Sequence, residues 1–335
     1  MLALGAGLSL GCAVNLDPDT PLLPRVRASN QLTGCMPAAE HVEKLEGRLG
    51  ELTLADGREL LVASAASVDG LTMTTGLVLG NDETCLADAE PLPTRPLLDT
   101  STLHTSAVGR PLAGLTTDTS YLFFAADRPD GFTNDGFGIA RWDADAGRFV
   151  AVTLLWTADR PSYGSAAVVD GDYVYVFGGL AARFLAADAY LARAPLARIT
   201  EPAAYEYWAG GGAYSPNADD AAPLVEAGTS PSVAWNAEHG RFILAYSSPL
   251  ATDVTVRSGL GVSGPWSLPV TLGRCELPAI DADAFCGDVT LLPLLAQGGG
   301  LTLAQSVGSF ARAPGATPAD YSTKLIRAAW PSALP

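Results

Sequence analysis

Charged side chains are scarce in this 335-residue chain, at 17% of the residues, and only three histidines occur. Lysine is nearly absent, with Lys44 and Lys324 as its two members. No apolar run approaches the roughly 20 residues that a membrane-spanning helix needs. The cysteines form no Cys-x-x-Cys pair and the histidines are scattered, which argues against a zinc site. We therefore predict neither a transmembrane helix nor a metal cofactor.

Acidic residues outnumber basic ones by 36 to 20, and the formal net charge is −16. Such a chain repels phosphate backbones, so we predict no nucleic-acid partner. The glycine runs at 210–212 and 298–300 are not followed by Lys-Ser or Lys-Thr, so they predict turns rather than phosphate loops. We predict no cofactor.

Apolar residues make up 48% of the chain, which is enough for a packed core. Glycine (35) and proline (24) fall between short apolar runs, as they do where turns join short strands. From about residue 50, β-rich runs recur in sets of three or four whose first strands start roughly 50 to 65 residues apart. The five sets cover residues 50–79, 106–152, 164–208, 231–267 and 288–330.

Repeats of this kind predict an all-β, five-bladed β-propeller, because no set can bury both of its faces alone. A β-sandwich also uses many short strands and is the structural alternative. We assign residues 1–12 to a signal segment, 13–47 to a tether and N-terminal segment, and 48–335 to the propeller.

The first twelve residues form a short apolar stretch that ends in Gly11 and Cys12. This resembles the end of a bacterial lipoprotein signal, in which cleavage precedes a cysteine that then carries lipid. Ser9 replaces the usual leucine, and no basic residue precedes the run. The alternative is a cleaved or frayed N-terminus with an ordinary cysteine. The resemblance implies an extracytoplasmic protein held to the membrane by its lipid anchor alone, or secreted.

With Cys12 lipidated, four cysteines are left, and an even number in an exported chain predicts disulfides. Cys275 and Cys286 flank a short loop and form the easiest pair. Cys35 and Cys85 would then form the second disulfide, pinning the N-terminal segment to the first blade.

Residues 205–267 carry three motifs: Tyr-Glu-Tyr-Trp-Ala-Gly from Tyr205, Ser-Val-Ala-Trp-Asn from Ser232 with Gly-Arg-Phe from Gly240, and Gly-Pro-Trp-Ser from Gly264. In these the chain resembles a five-bladed β-propeller family formerly of unknown function (DUF4185-like) that includes endo-D-arabinofuranase glycoside hydrolases. The resemblance implies a polysaccharide or envelope glycan as partner. It also implies an acid after the first-blade strand, but Glu59–Ala63 is followed by Ser64, Ala65 and Ala66. The expected catalytic acid is missing from that motif.

Sugar hydrolysis uses two carboxylates, about 5 Å apart for retention and about 6.5 to 9.5 Å for inversion. Asp127, Glu206 and Asp288 are the catalytic candidates, and Glu238 is a weaker one in a turn. Each of them also fits a solvated or capping role at a turn. The Asp281-Ala-Asp283 pair fits a calcium ligand set or a solvated loop.

Tyr205, Tyr207 and Trp208 flank Glu206, so we predict a ligand-binding cluster there that stacks a sugar ring. The alternative is that these rings pack between blades. Two functions follow: a monomeric surface lipoprotein that binds or cleaves polysaccharide, or a noncatalytic propeller that binds proteins in the envelope.

Overall fold

The computed structural model describes residues 25–31, 42–68, 71–80, 89–92, 96–103, 107–129, 133–183, 186–248, 251–296, 300–310, 314, 321 and 323–329. Within these residues the chain consists of β-strands joined by turns and short 3₁₀ segments. No helix in this part of the chain is long and apolar enough to cross a membrane. The strands form five sheets arranged as the blades of a β-propeller, which confirms the predicted fold.

The strands of each blade are stacked side by side from the channel outward. Blade one consists of β2 (Val42–Thr53), β3 (Glu59–Val68), β4 (Leu71–Val78) and β5 (Glu90–Pro91). Blade two consists of β7 (Val108–Thr116), β8 (Ser120–Asp127), β9 (Asn134–Asp143), β10 (Arg148–Thr157) and β6 (Leu98–Asp99).

Blade three is the largest and consists of β11 (Ala166–Asp170), β12 (Tyr173–Arg183), β13 (Ala186–Pro195), β14 (Glu206–Gly210) and β15 (Ala213–Ser215), with β16 (Val225–Ala227) also paired to β13. Blade four consists of β17 (Ser232–Asn236), β18 (Arg241–Ser247), β19 (Asp253–Gly259) and β20 (Val270–Arg274). Blade five consists of β21 (Ala284–Leu291), β22 (Leu301–Ser309), β23 (Lys324–Ala329) and β1 (Arg25–Gln31).

The ring is closed by β1, which pairs antiparallel with β23 as the outermost strand of blade five. The predicted domain boundary at residue 48 therefore falls inside β2, and the segment 13–47 contains one strand of the propeller and the start of another. The sequence of β1, Arg-Val-Arg-Ala-Ser-Asn-Gln, carries one large apolar residue, so it gives little strand signal.

Because successive side chains of a strand point to opposite faces of its blade, the core is divided into apolar layers between neighbouring blades. On β8, Leu122 and Phe124 face blade one, whereas Phe123 and Ala125 face blade three. Since successive side chains of a strand point to opposite faces, a central sheet of this kind is apolar on both sides. Comparable apolar layers lie between the remaining pairs of neighbouring blades. This mutual shielding is what lets sheets too small to be stable alone form one domain.

The innermost strands β2, β7, β11, β17 and β21 surround the channel and contact one another in that cyclic order. Later residues of all five strands line one cavity together, so the strands run in the same direction. We call the end of the channel at which they begin the upper mouth. The end at which they finish is the lower mouth.

Candidate functional site

Arg48 occupies the channel below the upper mouth. Its guanidinium lies close to one residue in, or just before, the innermost strand of each of the other four blades. Its nitrogens donate to the carbonyls of Leu112 (3.3 Å), Ser230 (3.4 Å) and Ser165, and Nη1 lies 3.8 Å from Asp288 Oδ2. The side chain is buried. Burial lowers the pKa of Arg48, and the charge of Asp288 opposes that shift.

A β-bulge aims Arg48 into the channel. Between Glu46 and Leu49 the register of β2 against β3 slips by one residue, and Gly47 adopts a φ of +69°. A Cβ on Gly47 would lie 2.6 Å from Ser64 Oγ. The same Ser64 oxygen accepts a hydrogen bond from the Arg48 backbone N–H at 2.8 Å. The bulge in β2 therefore directs the Arg48 side chain into the channel.

Asp288 also comes from a bulge. The register of β21 against β22 slips between Cys286 and Val289, and a Cβ on Gly287 would lie 2.4 Å from Ser306 Oγ. The extra residue brings the Asp288 carboxylate to Arg48, as its 3.8 Å distance to the guanidinium shows. Bulges often re-aim side chains near functional sites.

Arg110 and Asp127 form a second ion pair at the upper mouth, on adjacent strands of blade two. Arg110 Nε donates to Asp127 Oδ2 at 2.6 Å. Burial lowers the pKa of Arg110, but the carboxylates of Asp127 and Asp288 outweigh it, so the pKa is raised overall. The structure thus brings two of the predicted candidates, Asp127 and Asp288, to one mouth of the channel.

A pocket of about 220 Å³ adjoins Asp288 between blades four and five. Its walls combine hydroxyl groups, glycine backbone and two aromatic rings, and its other lining residues are Thr229, Ser230, Ser247, Ser248, Phe285, Cys286, Gly287, Val289 and Phe310. Phe310 is 72% exposed and packs against Phe285 with ring centroids 4.7 Å apart. An open aromatic face therefore lies next to a carboxylate.

The disulfide predicted between Cys275 and Cys286 is present and closes the loop that leads into β21. Within that loop Asp281 is buried, and its carboxylate accepts hydrogen bonds from the Tyr321 hydroxyl and the Asp283 backbone N–H. Asp281 thus serves as a turn anchor. No group of three or more His, Cys, Asp or Glu side chains suited to a metal ion occurs in the described part of the chain.

Glu206 lies elsewhere. It sits on β14, toward the outside of blade three, where both Nε (3.0 Å) and Nη2 (2.8 Å) of Arg193 donate to its Oε2. Arg193 in turn lies over the Tyr214 ring, 3.8 Å from the centroid. The structure does not bring Glu206 together with Asp127 and Asp288.

The aromatic cluster beside Glu206 packs between blades. Tyr205 and Tyr207 are buried in the core between blades two and three. The Tyr205 hydroxyl donates to the Ile199 carbonyl at 2.7 Å, and the Tyr207 hydroxyl accepts from Trp156 Nε1 at 3.1 Å. Trp208 is partly buried and packs on Tyr214 in a T-shaped arrangement, with ring centroids 5.5 Å apart. Because the rings of Tyr205 and Tyr207 are buried in this core, neither presents a face on which a sugar could stack.

Other predicted residues complete the comparison. Ser64 and Ala65 lie within β3, since that strand continues to Val68. Glu238 lies in the turn between β17 and β18, near the lower mouth. Cys12, Cys35 and Cys85 lie outside the described residues.

Sequence reasoning missed Arg48, Arg110 and Phe310. One available signal was Gly47 next to Arg48, because a glycine inside a strand often marks a bulge. Phe310 gave no such signal, because a single aromatic residue at a strand end is common.

Comparison with known sequences gives one family. The profile of a family described as "Domain of unknown function (DUF4185)" matches residues 109–306, more than half of the chain. A search of curated protein sequences finds no match.

Solved structures resemble the chain in fold. A candidate hydrolase from Bacteroides ovatus is 13% identical with a TM-score of 0.64, covering 89% of this chain and 87% of its own. A GH43_1 enzyme from Xanthomonas citri, complexed with xylose, is 18% identical with a TM-score of 0.53 and 89% coverage of each chain. The compost-metagenome β-xylosidase/α-arabinofuranosidase CoXyl43 is 15% identical with a TM-score of 0.52, covering 91% of this chain and 95% of its own. At these identities the likeness shows a shared fold.

Proposed function

The chain belongs to the DUF4185 family, and on that premise we propose that it is a carbohydrate-binding, glycoside-hydrolase-like propeller that holds its ligand at the upper mouth. The observation that carries the proposal is that two Asp-Arg ion pairs lie at one mouth of the channel, where Asp288 also lines a pocket with an open phenylalanine face. The carbohydrate-binding fold neighbours support the choice of ligand.

The chemistry of the mouth suits a polyol. A sugar hydroxyl both donates and accepts hydrogen bonds, and each Asp-Arg pair offers an acceptor next to a donor. The apolar face of a sugar ring packs on an aromatic side chain, and Phe310 presents such a surface next to Asp288. A pocket of about 220 Å³ limits the deepest contact to a small unit such as one ring.

Binding is favoured over rapid cleavage. Hydrolysis requires one carboxyl group that carries a proton to the leaving group. In this chain Asp127 pairs with Arg110, and Asp288 pairs with Arg48. The motif in which the family resemblance implies a catalytic acid has Ser64, Ala65 and Ala66 instead. We propose that this acid is absent and that any hydrolysis is slow.

A glycan array and digestion of D-arabinan test the proposal together. We expect binding to pentose-containing polysaccharide, with little release of reducing ends. Asp127→Asn and Asp288→Asn should weaken binding, whereas Glu206→Gln, altered at an ion pair outside the channel, should not. Silence on the array together with no digestion would overturn the proposal.

We further propose an extracytoplasmic location with Cys12 as a lipidated residue. The support is the Leu-Ser-Leu-Gly-Cys pattern that ends at Cys12. Labelling of cells with a fatty-acid analogue tests it: the wild-type protein should be labelled and the Cys12→Ser variant should not. Equal labelling of both would contradict the anchor.

The alternative is a noncatalytic propeller that binds other envelope proteins. It is favoured by the pairing of both mouth carboxylates with arginines, which leaves neither as an evident general acid. Crosslinking and pull-down from its own cell envelope should then give a specific partner. Measurable hydrolysis without any partner would eliminate this alternative.

A further inference from the structure

Two adjoining cavities open at the lower mouth, away from the carbohydrate site. Their volumes are about 380 and 370 Å³, and they share Ala234, Trp235, Leu291 and Pro293 in their walls. Both exceed the pocket at the upper mouth and fall in the range of small-molecule sites, about 300 to 1,000 Å³. The larger one extends up the channel to Arg48. Most of the lining is aliphatic.

Trp235 stands between the two cavities near the end of β17. Its side chain is 47% exposed although it lines both cavities. The ring packs on Phe242 at an interplanar angle of 62°, with centroids 4.8 Å apart. A half-exposed indole ring held in place by a neighbouring ring can attract a cation to its face or pack against an apolar group.

Glu51 lines the larger cavity and lacks a full set of partners. Its Oε1 accepts from the Leu294 backbone N–H at 2.5 Å, while Oε2 is enclosed and has no hydrogen-bond partner. The hydroxyl oxygen of Thr290, another lining residue, is also enclosed without a partner. Enclosed polar atoms of this kind cost stability until a ligand or a proton satisfies them.

The charges around Glu51 leave its carboxyl without a cation. Burial raises the pKa of Glu51 to about 8; the Leu294 N–H opposes this, and Glu59 on β3 adds to it. Among the described residues lining the two cavities, Arg48 is the one base, and it is engaged with Asp288 and three carbonyls. The neighbouring β7 carries Arg110 at its upper end, and the 293–295 turn carries no titratable group.

We propose that the lower cavities bind a small organic cation, an ammonium group with methyl or methylene substituents, recognised by Trp235 and Glu51. The aliphatic walls accommodate the substituents, the indole face attracts the charge, and the Glu51 carboxylate is its counter-ion. Glu238 lines the adjoining cavity and adds a second carboxylate. The proposal is independent of the carbohydrate site, because none of these three residues lies at the upper mouth.

Choline and its uncharged isostere 3,3-dimethylbutan-1-ol are matched probes for calorimetry on the full chain. The charge of choline does not change with pH, so any pH dependence belongs to the protein. We expect choline to bind at pH 9 with little proton release. Below pH 8 its affinity should fall about tenfold for each pH unit, and binding should release the proton held by Glu51. The isostere should bind at least about tenfold more weakly at pH 9.

Variants separate the two recognition residues. Glu51→Gln should weaken choline binding at pH 9 about tenfold or more and abolish its pH dependence. Trp235→Leu should weaken it similarly, and Trp235→Phe should weaken it less. Co-sedimentation with phosphatidylcholine vesicles distinguishes a membrane headgroup from a free solute. Equal binding of choline and its isostere, or no saturable choline binding at millimolar concentration in a folded protein, would overturn the proposal.

Discussion

The guanidinium of Arg48 lies 3.8 Å from the carboxylate of Asp288, a contact that joins blade one to blade five across the channel. Both residues come from β-bulges in the innermost strands of their blades. The same guanidinium bonds carbonyls belonging to the other three blades. One side chain therefore ties the ring together and forms the floor of the upper mouth.

Loss of this cation should destabilise the whole propeller. We expect Arg48→Met to lower the free energy of unfolding by about 3 to 5 kcal/mol, because Asp288 and several carbonyls lose their partner. Denaturant unfolding measures the change. The control is Arg58→Met, which removes an exposed ion pair with Asp56 and should cost about 1 kcal/mol or less. Equal effects of the two substitutions would contradict the role of Arg48.

Glu51 should make stability depend on pH. Its pKa in the folded protein is about 8, against an ordinary value of 4.5. Between these values the folded state holds a proton that the unfolded state has released, so stability is full below pH 4.5 and falls as the pH rises to 8. The loss is of the order of 3 to 5 kcal/mol.

Substitution tests this linkage. In Glu51→Gln the side chain is neutral at every pH, so that part of the fall should disappear from urea-unfolding curves recorded between pH 5 and 9. Glu90→Gln, at an exposed site, should keep the wild-type slope. Parallel slopes for wild type and Glu51→Gln would show that Glu51 is not the group responsible.

The disulfide should stabilise the loop that positions Asp288. Replacing Cys275 and Cys286 together by serine removes a link across a sequence separation of 11, which is worth about 3 kcal/mol. We also expect weaker glycan binding, because Cys286 lines the pocket beside Asp288. Thermal unfolding and glycan titration measure the two effects. Unchanged stability and binding in the double variant would contradict this account.

Phe310 should matter for binding and little for stability. Because its ring is 72% exposed, Phe310→Ala is expected to change the free energy of unfolding by about 0.5 kcal/mol or less. Losing a stacking surface should weaken glycan binding by about 1 kcal/mol, roughly fivefold. Leu268→Ala removes a side chain of similar exposure on blade four and is the control for binding. Equal glycan binding by the wild-type protein and Phe310→Ala would show that the Phe310 ring is not part of the binding site.

The sequence predicted the blades because the signal is local and repeated. Alternation on strands such as β8 and the turns between them follow from the side-chain period of a strand. The closing strand β1 was not predicted, because its pairing with β23 depends on residues about 300 positions away and its own pattern is polar.

The site was predictable only in part. Asp127 was found because it ends a strand, and strand ends lie at the mouths of a propeller channel. Asp288 was predicted to open the fifth blade, but β21 begins at Ala284 and Asp288 lies inside it, at the bulge. Glu206 and its aromatic neighbours drew attention by composition alone, and composition cannot tell a packed ring from an open one. Arg48 depends on a bulge whose sequence signal is one glycine, Gly47, and a glycine alone does not tell which neighbouring side chain enters the channel.

Titration of the wild-type protein and Asp288→Asn with oligosaccharides of D-arabinan tests the central claim most directly. Asp288 is shared by the Arg48 ion pair and the pocket beside it. We expect saturable binding by the wild-type protein and affinity at least about tenfold lower for the folded variant. Equal affinity of the two proteins would contradict a carbohydrate site at the upper mouth.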